Sequence, residues 1–169
     1  MAKGEDMHDL AAVEALNAAK YLYLQNLSEP SDNSLQLVVQ EAVVNRSSLI
    51  PPALPDLPEL AALRGDTWPI ESIAGCKSFE ICWKQFAAYL VTEEMVGSCG
   101  GYDDEVFSGN LLRLYSKSHF LDHLSRDTGG HPAPILYYKT VCLNHLIDVA
   151  SYAPPEIRII TDAPQLPRT

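Results

Sequence analysis

The sequence predicts an α+β fold: a mainly antiparallel sheet of five or six strands with two or three short helices. Three observations lead there. Strand-like segments come in runs rather than alternating with long helices, which argues against a doubly wound parallel sheet. Several are separated by polar loops rich in Ser, Asn, Asp, Gly and Pro. Helical patterns are confined to brief stretches near residues 9–20 and 118–126, with one further helical turn at 59–63.

The elements follow in chain order. Residues 9–20 are alanine-dense, and Leu10, Val13 and Leu16 recur at a spacing of three. An amphipathic helix is expected, capped by Asp9 and ending near Lys20. Aromatic and aliphatic residues from Tyr21 to Leu24 then favour a strand. Ser28 to Ser34 is full of turn formers, and Leu35 to Val44 reads as the returning strand of an antiparallel hairpin. Residues 50–75 carry five prolines, Pro51, Pro52, Pro55, Pro58 and Pro69, and read as a long irregular connection.

From Phe79 to Met95 the pattern starts as a strand and drifts toward helical spacing. A long strand bulged near Gln85 is the reading adopted; a helix is the alternative. Gly97 to Glu105 forms a glycine-rich acidic loop. Asn110 to Ser116 reads as a strand. Ser118 to Arg126 is helical, with Ser118 as its cap and Phe120, Leu121 and Leu124 as its apolar stripe. Leu136 to Val149 reads as one strand, closed by Pro154-Pro155. Glu156 to Ile160 makes a last short edge strand, and residues 161–169 a frayed tail. The whole chain, 1–169, reads as a single domain, with neither flank of 50–75 large enough to fold alone.

Charge is the first unusual number. The chain of 169 residues carries 22 acidic and 12 basic side chains, for a formal net charge of −10. Such a surface repels phosphate backbones, so direct nucleic-acid binding is not expected. It suits a protein partner with a basic surface, although acidity also serves plain solubility. No stretch approaches the roughly 18 apolar residues that a membrane span needs. Met1 to Asp6 has no apolar run behind Lys3, so no signal peptide is read. The cytoplasm is the expected compartment, with the four cysteines reduced. Cys82 and Cys142 sit in apolar runs and are expected in the core. A strand edge or the 50–75 segment could support a homodimer.

Three constellations were weighed for chemistry. His119 and His123 stand at i and i+4 on the expected helix, and His145 or Asp148 could add a third metal ligand. The glutamate of the strong hydrolase motif is missing, since Phe120 follows His119. Cys142 and His145 would be a nucleophile and base, but in one strand a separation of three points them to opposite faces. Asp103, Asp104 and Glu105 lack the alternation of a calcium loop, so a solvated acidic loop is the plain reading. Gly97, Gly100 and Gly101 are followed by acidic residues rather than the lysine of a phosphate loop. No motif demands a cofactor.

Phe107 to Ser118 and Cys142 to Val149, with the Tyr21–Val44 hairpin and the Phe79 strand, resemble a loosely defined group of small bacterial proteins. The resemblance covers about two thirds of the chain and supplies no catalytic residues. By analogy it implies an immunity or adaptor protein. The leading expectation is therefore a non-enzymatic binding protein that blocks a cognate toxin. Tyr102, Asp103, Asp104 and Glu105, with nearby aromatics, are its candidate binding residues. The alternatives are a small metal-dependent hydrolase using His119, His123 and His145, and an acidic mimic of DNA.

Overall fold

The computed structural model describes residues 5–48, 68–96, 103–127 and 134–160. Among these it is α+β, with two helices and ten strands in two antiparallel sheets. The expectation of five or six strands undercounts because several long apolar runs are divided by turns or corners.

Helix α1 spans Glu5–Ala18 and leads into β1 (Tyr21–Ser28) and β2 (Leu35–Val44). These form the expected hairpin, with a bulge in β1 between Leu24 and Asn26. Its loop is tied by Ser34, whose hydroxyl accepts from the Ser31 N–H at 2.9 Å. Asn33 takes the left-handed backbone conformation there, at φ 59°. Next come β3 (Ile70–Glu71), β4 (Ser78–Trp83) and β5 (Phe86–Glu93). Strand β3 pairs with the end of β2, so the last part of the 50–75 connection is ordered by the sheet. Residues 49–67 of that connection lie outside the described residues, as do Gly97 to Tyr102 and 161–169.

Strands β6 (Val106–Ser108) and β7 (Leu112–Lys117) precede helix α2 (His119–Asp127). Strands β8 (Leu136–Val141), β9 (His145–Ser151) and β10 (Glu156–Ile160) complete the fold. The first sheet runs β1-β2-β4-β10, with β3 beside β2; the second runs β5-β9-β8-β7-β6.

The run expected as one bulged strand from Phe79 is two strands, β4 in the first sheet and β5 in the second. The chain turns between them at Lys84-Gln85. Strands β9 and β10 turn in parallel at Tyr152 to Pro155. Cys82 pairs with Glu156 before the corner and Phe86 with Ser151 after it. One antiparallel ribbon thus passes from sheet to sheet, as corners of packed sheets do. A 2.9 Å bond from the Phe86 N–H to the Asn33 carbonyl and an ion pair between Lys84 and Glu156 hold the corner.

The core draws on both sheets and α1. Leu35, Leu37, Val39, Phe79, Ile81 and Trp83 meet Tyr138, Ile147, Val149 and Ile157. Fully burying an aliphatic or aromatic side chain of this kind contributes about 1.5–3 kcal/mol. Helix α1 buries Ala12 and Leu16, and Ala19 just past its end is buried too, while Leu10 is 60 % exposed. Of the expected stripe, Leu16 is buried and Val13 packs against the core, and only Leu10 faces outward. The helix also begins before Asp9, which lies within it rather than capping it, and it ends before Lys20. Cys82 is a second correction. Phe79, Ile81 and Trp83 are buried in the core, and alternation leaves Cys82 half-buried on the other face beside Glu80. Cys76, Cys82 and Cys142 are free thiols.

The 136–149 run is likewise not one strand. It folds back at Cys142 to Asn144, and that turn seals the outer edge of β1. The Leu143 N–H donates to the Leu22 carbonyl at 2.8 Å. The Asn144 amide accepts from the Leu24 N–H at 2.9 Å and donates to the Leu24 carbonyl at 3.0 Å. It replaces a neighbouring peptide group where β1 bulges.

Asn144→Ala removes both bonds and is expected to cost about 2–3 kcal/mol in urea unfolding. Asn144→Asp is expected to destabilise too, because a carboxylate cannot donate to the Leu24 carbonyl. Equal stability of the aspartate variant and the native protein would contradict this account.

Candidate interaction surface

Strand β6 forms one edge of the second sheet and pairs only with β7. All three of its residues are exposed, Val106 at 53 % and Phe107 at 38 %. Immediately before it stand Asp103, Asp104 and Glu105. Asp103 and Asp104 are exposed and Glu105 is half-buried. Tyr102 lies outside the described residues.

Asp104 and Glu105 are tied to the β7–α2 junction. Asp104 sits between two side chains of the β7–α2 junction, with Oδ1 2.9 Å from His119 Nε2 and Oδ2 3.4 Å from Lys117 Nζ. The hydrogen bond from His119 is the main cause that holds its carboxyl below the ordinary value of 3.8. Glu105 accepts the backbone N–H of His119 at 3.0 Å. Ser118 supplies the expected cap, accepting the Leu121 N–H at 3.1 Å. The first turn of α2 is thereby satisfied by a hydroxyl and a carboxylate. Unpaired N–H groups and the positive end of the helix dipole both favour that arrangement.

Behind the loop runs a row of aromatic rings that the sequence reading did not assemble. Phe107 meets Tyr115 at 5.0 Å between ring centres, Tyr115 stacks on Tyr137 at 4.5 Å, and Phe120 of α2 meets Tyr137 at 5.0 Å. The Arg113 guanidinium lies over the Phe107 ring at 4.6 Å. This is the outward face of the second sheet, and register explains it, since Phe107 pairs with Tyr115 and Tyr115 with Tyr137. The signal was present as alternation, with Arg113 and Tyr115 on one strand and Tyr137 and Lys139 on another.

Beneath α2 the row rests on a nearly buried polar cluster. The Tyr137 hydroxyl donates to Asp148 Oδ1 at 2.5 Å, and Lys139 Nζ lies 3.3 Å from the same oxygen. Burial first, and then the Asp148 carboxylate, push the Tyr137 phenol well above its ordinary range. The phenol thus stays protonated and donates, while Lys139 balances the carboxylate's charge. The cluster gives the aromatic row a hydrogen-bonded support.

The three histidines do not share a site. His119 turns to Asp104, and His123 lies 3.4 Å from Asp127 within α2. His145 begins β9, opposite Glu93 of β5, with its Nδ1 buried and unpartnered. Among the described residues no three His, Cys, Asp or Glu side chains form a metal-holding group. Cys142 and His145 flank the β8–β9 turn, with the Cys142 N–H bonded to the His145 carbonyl at 3.0 Å. Burial pushes the Cys142 thiol up to about 12, which disfavours the thiolate a nucleophile needs.

The opposite edge of the sheet, β5, exposes Leu90 and Val91, and the turn after it exposes Met95 and Val96. Among the described residues no helix is long and apolar enough to cross a membrane. No protein-family model, curated protein or solved structure was found to match the chain.

Acid should loosen the loop from α2. A carboxyl held below its ordinary value stabilises the fold fully above about pH 4 and loses that contribution as pH falls through the lowered value. Amide exchange at His119 to Leu121, compared at about pH 5 and pH 3, should show extra opening at the lower pH. Asp104→Asn should remove most of that pH dependence. An unchanged dependence in the variant would contradict the assignment.

Proposed function

We propose that this chain is a non-enzymatic binding protein that covers the working surface of a basic partner, most concretely an immunity protein blocking a toxin. The observation that carries the reading is the β6 edge. Exposed Val106 and Phe107 stand beside exposed Asp103 and Asp104 on a chain of net charge −10. Apolar and aromatic groups provide contact area, and the carboxylates steer a basic partner and fix its orientation.

Local rigidity supports the same reading. The ties of Asp104 and Glu105 to the β7–α2 junction hold these carboxylates in place before a partner arrives. Preordered side chains lose less conformational entropy on binding. The edge of β6 away from β7, unpaired among the described residues, also offers a partner a short ladder to extend. Self-pairing at this edge is opposed by the like charges of the two copies. The raised Cys142 thiol further favours binding over nucleophilic chemistry. The cytoplasm is the proposed compartment, where free thiols such as Cys76, Cys82 and Cys142 persist.

The test is coexpression with the protein encoded immediately beside the gene. The reading expects a stable complex, rescue of cells from that product, and association that slows as salt rises. The double variant Asp103→Lys, Val106→Lys should weaken the complex at least about tenfold, and Leu90→Lys on the β5 edge by less than about twofold. No complex and no rescue would overturn the function. A complex broken by Leu90→Lys alone would move the interface to β5.

A further inference from the structure

A second feature lies where the two sheets part. One side of the sandwich is sealed by the Cys142–Asn144 turn against β1. On the side between β10 and β7 the gap is spanned by α1, and a cleft of about 290 Å³ remains there. Its apolar wall comes from Val13 of α1, Leu112 and Leu114 of β7, Ile157 of β10, and Pro154 with Pro155 of the corner.

The walls are fixed before any ligand enters. Two prolines stiffen one of them. Asn17 stiffens another, because its Oδ1 accepts the N–H groups of Asn110, Leu111 and Leu112 at 2.8, 3.0 and 3.0 Å. Gly109 permits that turn through its φ of +88°, and a Cβ there would stand 2.1 Å from the Leu112 carbonyl oxygen.

Among its described lining residues the cleft has no charged side chain. That is unusual on a chain with 34 charged residues by the counts of 22 acidic and 12 basic. An ion placed there would lose hydration with nothing to replace it. The polar side chains present are Asn17, Ser108 and Tyr138. Asn17 is already committed, its Nδ2 donating to the Val13 carbonyl at 3.2 Å. Tyr138 is only 7 % exposed, and its hydroxyl makes no hydrogen bond to a described residue.

We propose that this cleft binds an uncharged, largely apolar small molecule that accepts a hydrogen bond from the Tyr138 hydroxyl. A dry cavity of roughly 150 Å³ holds benzene, so this one takes a ring system or short chain of about ten to twelve non-hydrogen atoms. The proposal goes beyond the protein-binding reading and does not depend on it.

The probe is 2-naphthol, an uncharged bicyclic alcohol of that size, titrated against the purified chain by fluorescence and calorimetry. Saturable one-to-one binding is expected, with Kd on the order of 10–100 µM. Ser108→Trp and Leu114→Trp each fill the cleft from a partly exposed position and should weaken binding at least about tenfold. Naphthalene-2-sulfonate should bind at least about tenfold more weakly than 2-naphthol, because its charge must be desolvated. Tyr138→Phe should weaken 2-naphthol about fivefold or more and leave naphthalene unchanged. Absence of saturable binding, equal binding by both filled variants, or equal binding of the sulfonate would overturn the site. Equal loss of naphthol and naphthalene in Tyr138→Phe would overturn the role of its hydroxyl.

Discussion

Oδ1 of Asn17 gathers three successive backbone N–H groups from the turn between β6 and β7. Those donors sit at a sharp bend, where a ladder partner cannot reach all of them. Leaving a buried N–H unsatisfied costs about 1–3 kcal/mol. The side chain therefore does more than close a helix. It ties the end of α1 to a turn more than ninety residues away, and the same turn leads back into exposed β6. Return bonds tighten the latch, since the Asn110 side chain donates to the Asn17 carbonyl at 3.3 Å. The position of α1 over the open side of the sandwich, the shape of the cleft and the course of the β6 edge all follow from this contact.

The remainder of the fold reads as a closure problem with two sides. Two sheets can share a core only if chain passes between them and their open sides are covered. Passage is provided by one ribbon, β4–β5 with β9–β10, bent at Lys84-Gln85 and at Tyr152 to Pro155. Covering is provided on one side by Asn144 acting as a surrogate peptide group against Leu24, and on the other by α1. Both covers rely on an asparagine side chain, because an amide can accept and donate at once. The second sheet is then left with two exposed edges, and only the β6 edge combines apolar residues with the Asp103–Glu105 acidic run.

Much of this architecture was legible in the sequence. The Tyr21–Val44 hairpin follows from alternation and a loop of turn formers, and the start of α2 follows from Ser118. The Gln85 region was marked as a bulge within one strand, because strand periodicity carries no sign that the chain changes sheets there. The turn at Cys142–Asn144 was hidden because it contains neither glycine nor proline and is held by Leu22 and Leu24, about 120 residues away. On α1 the spacing marked Val13 and Leu16 but also Leu10, which is exposed. Ala12 packs in its place because it is small, and a hydrophobicity pattern ranks Leu10 above it. At the surface, composition revealed the acidic loop. Its attachment to α2 depends on β6 and β7 folding back on each other, which local patterning does not encode.

The most direct test of the account is Asn17→Ala, followed by urea unfolding and by amide exchange at Asn110, Leu111 and Leu112. Four side-chain hydrogen bonds are lost, three of them from these amides and one to the Val13 carbonyl, and they predict destabilisation of about 2–4 kcal/mol. Exchange at those three amides should accelerate well beyond that of the β2–β4 core. A loss below about 0.5 kcal/mol, with protection of the three amides unchanged, would contradict the central role given to Asn17.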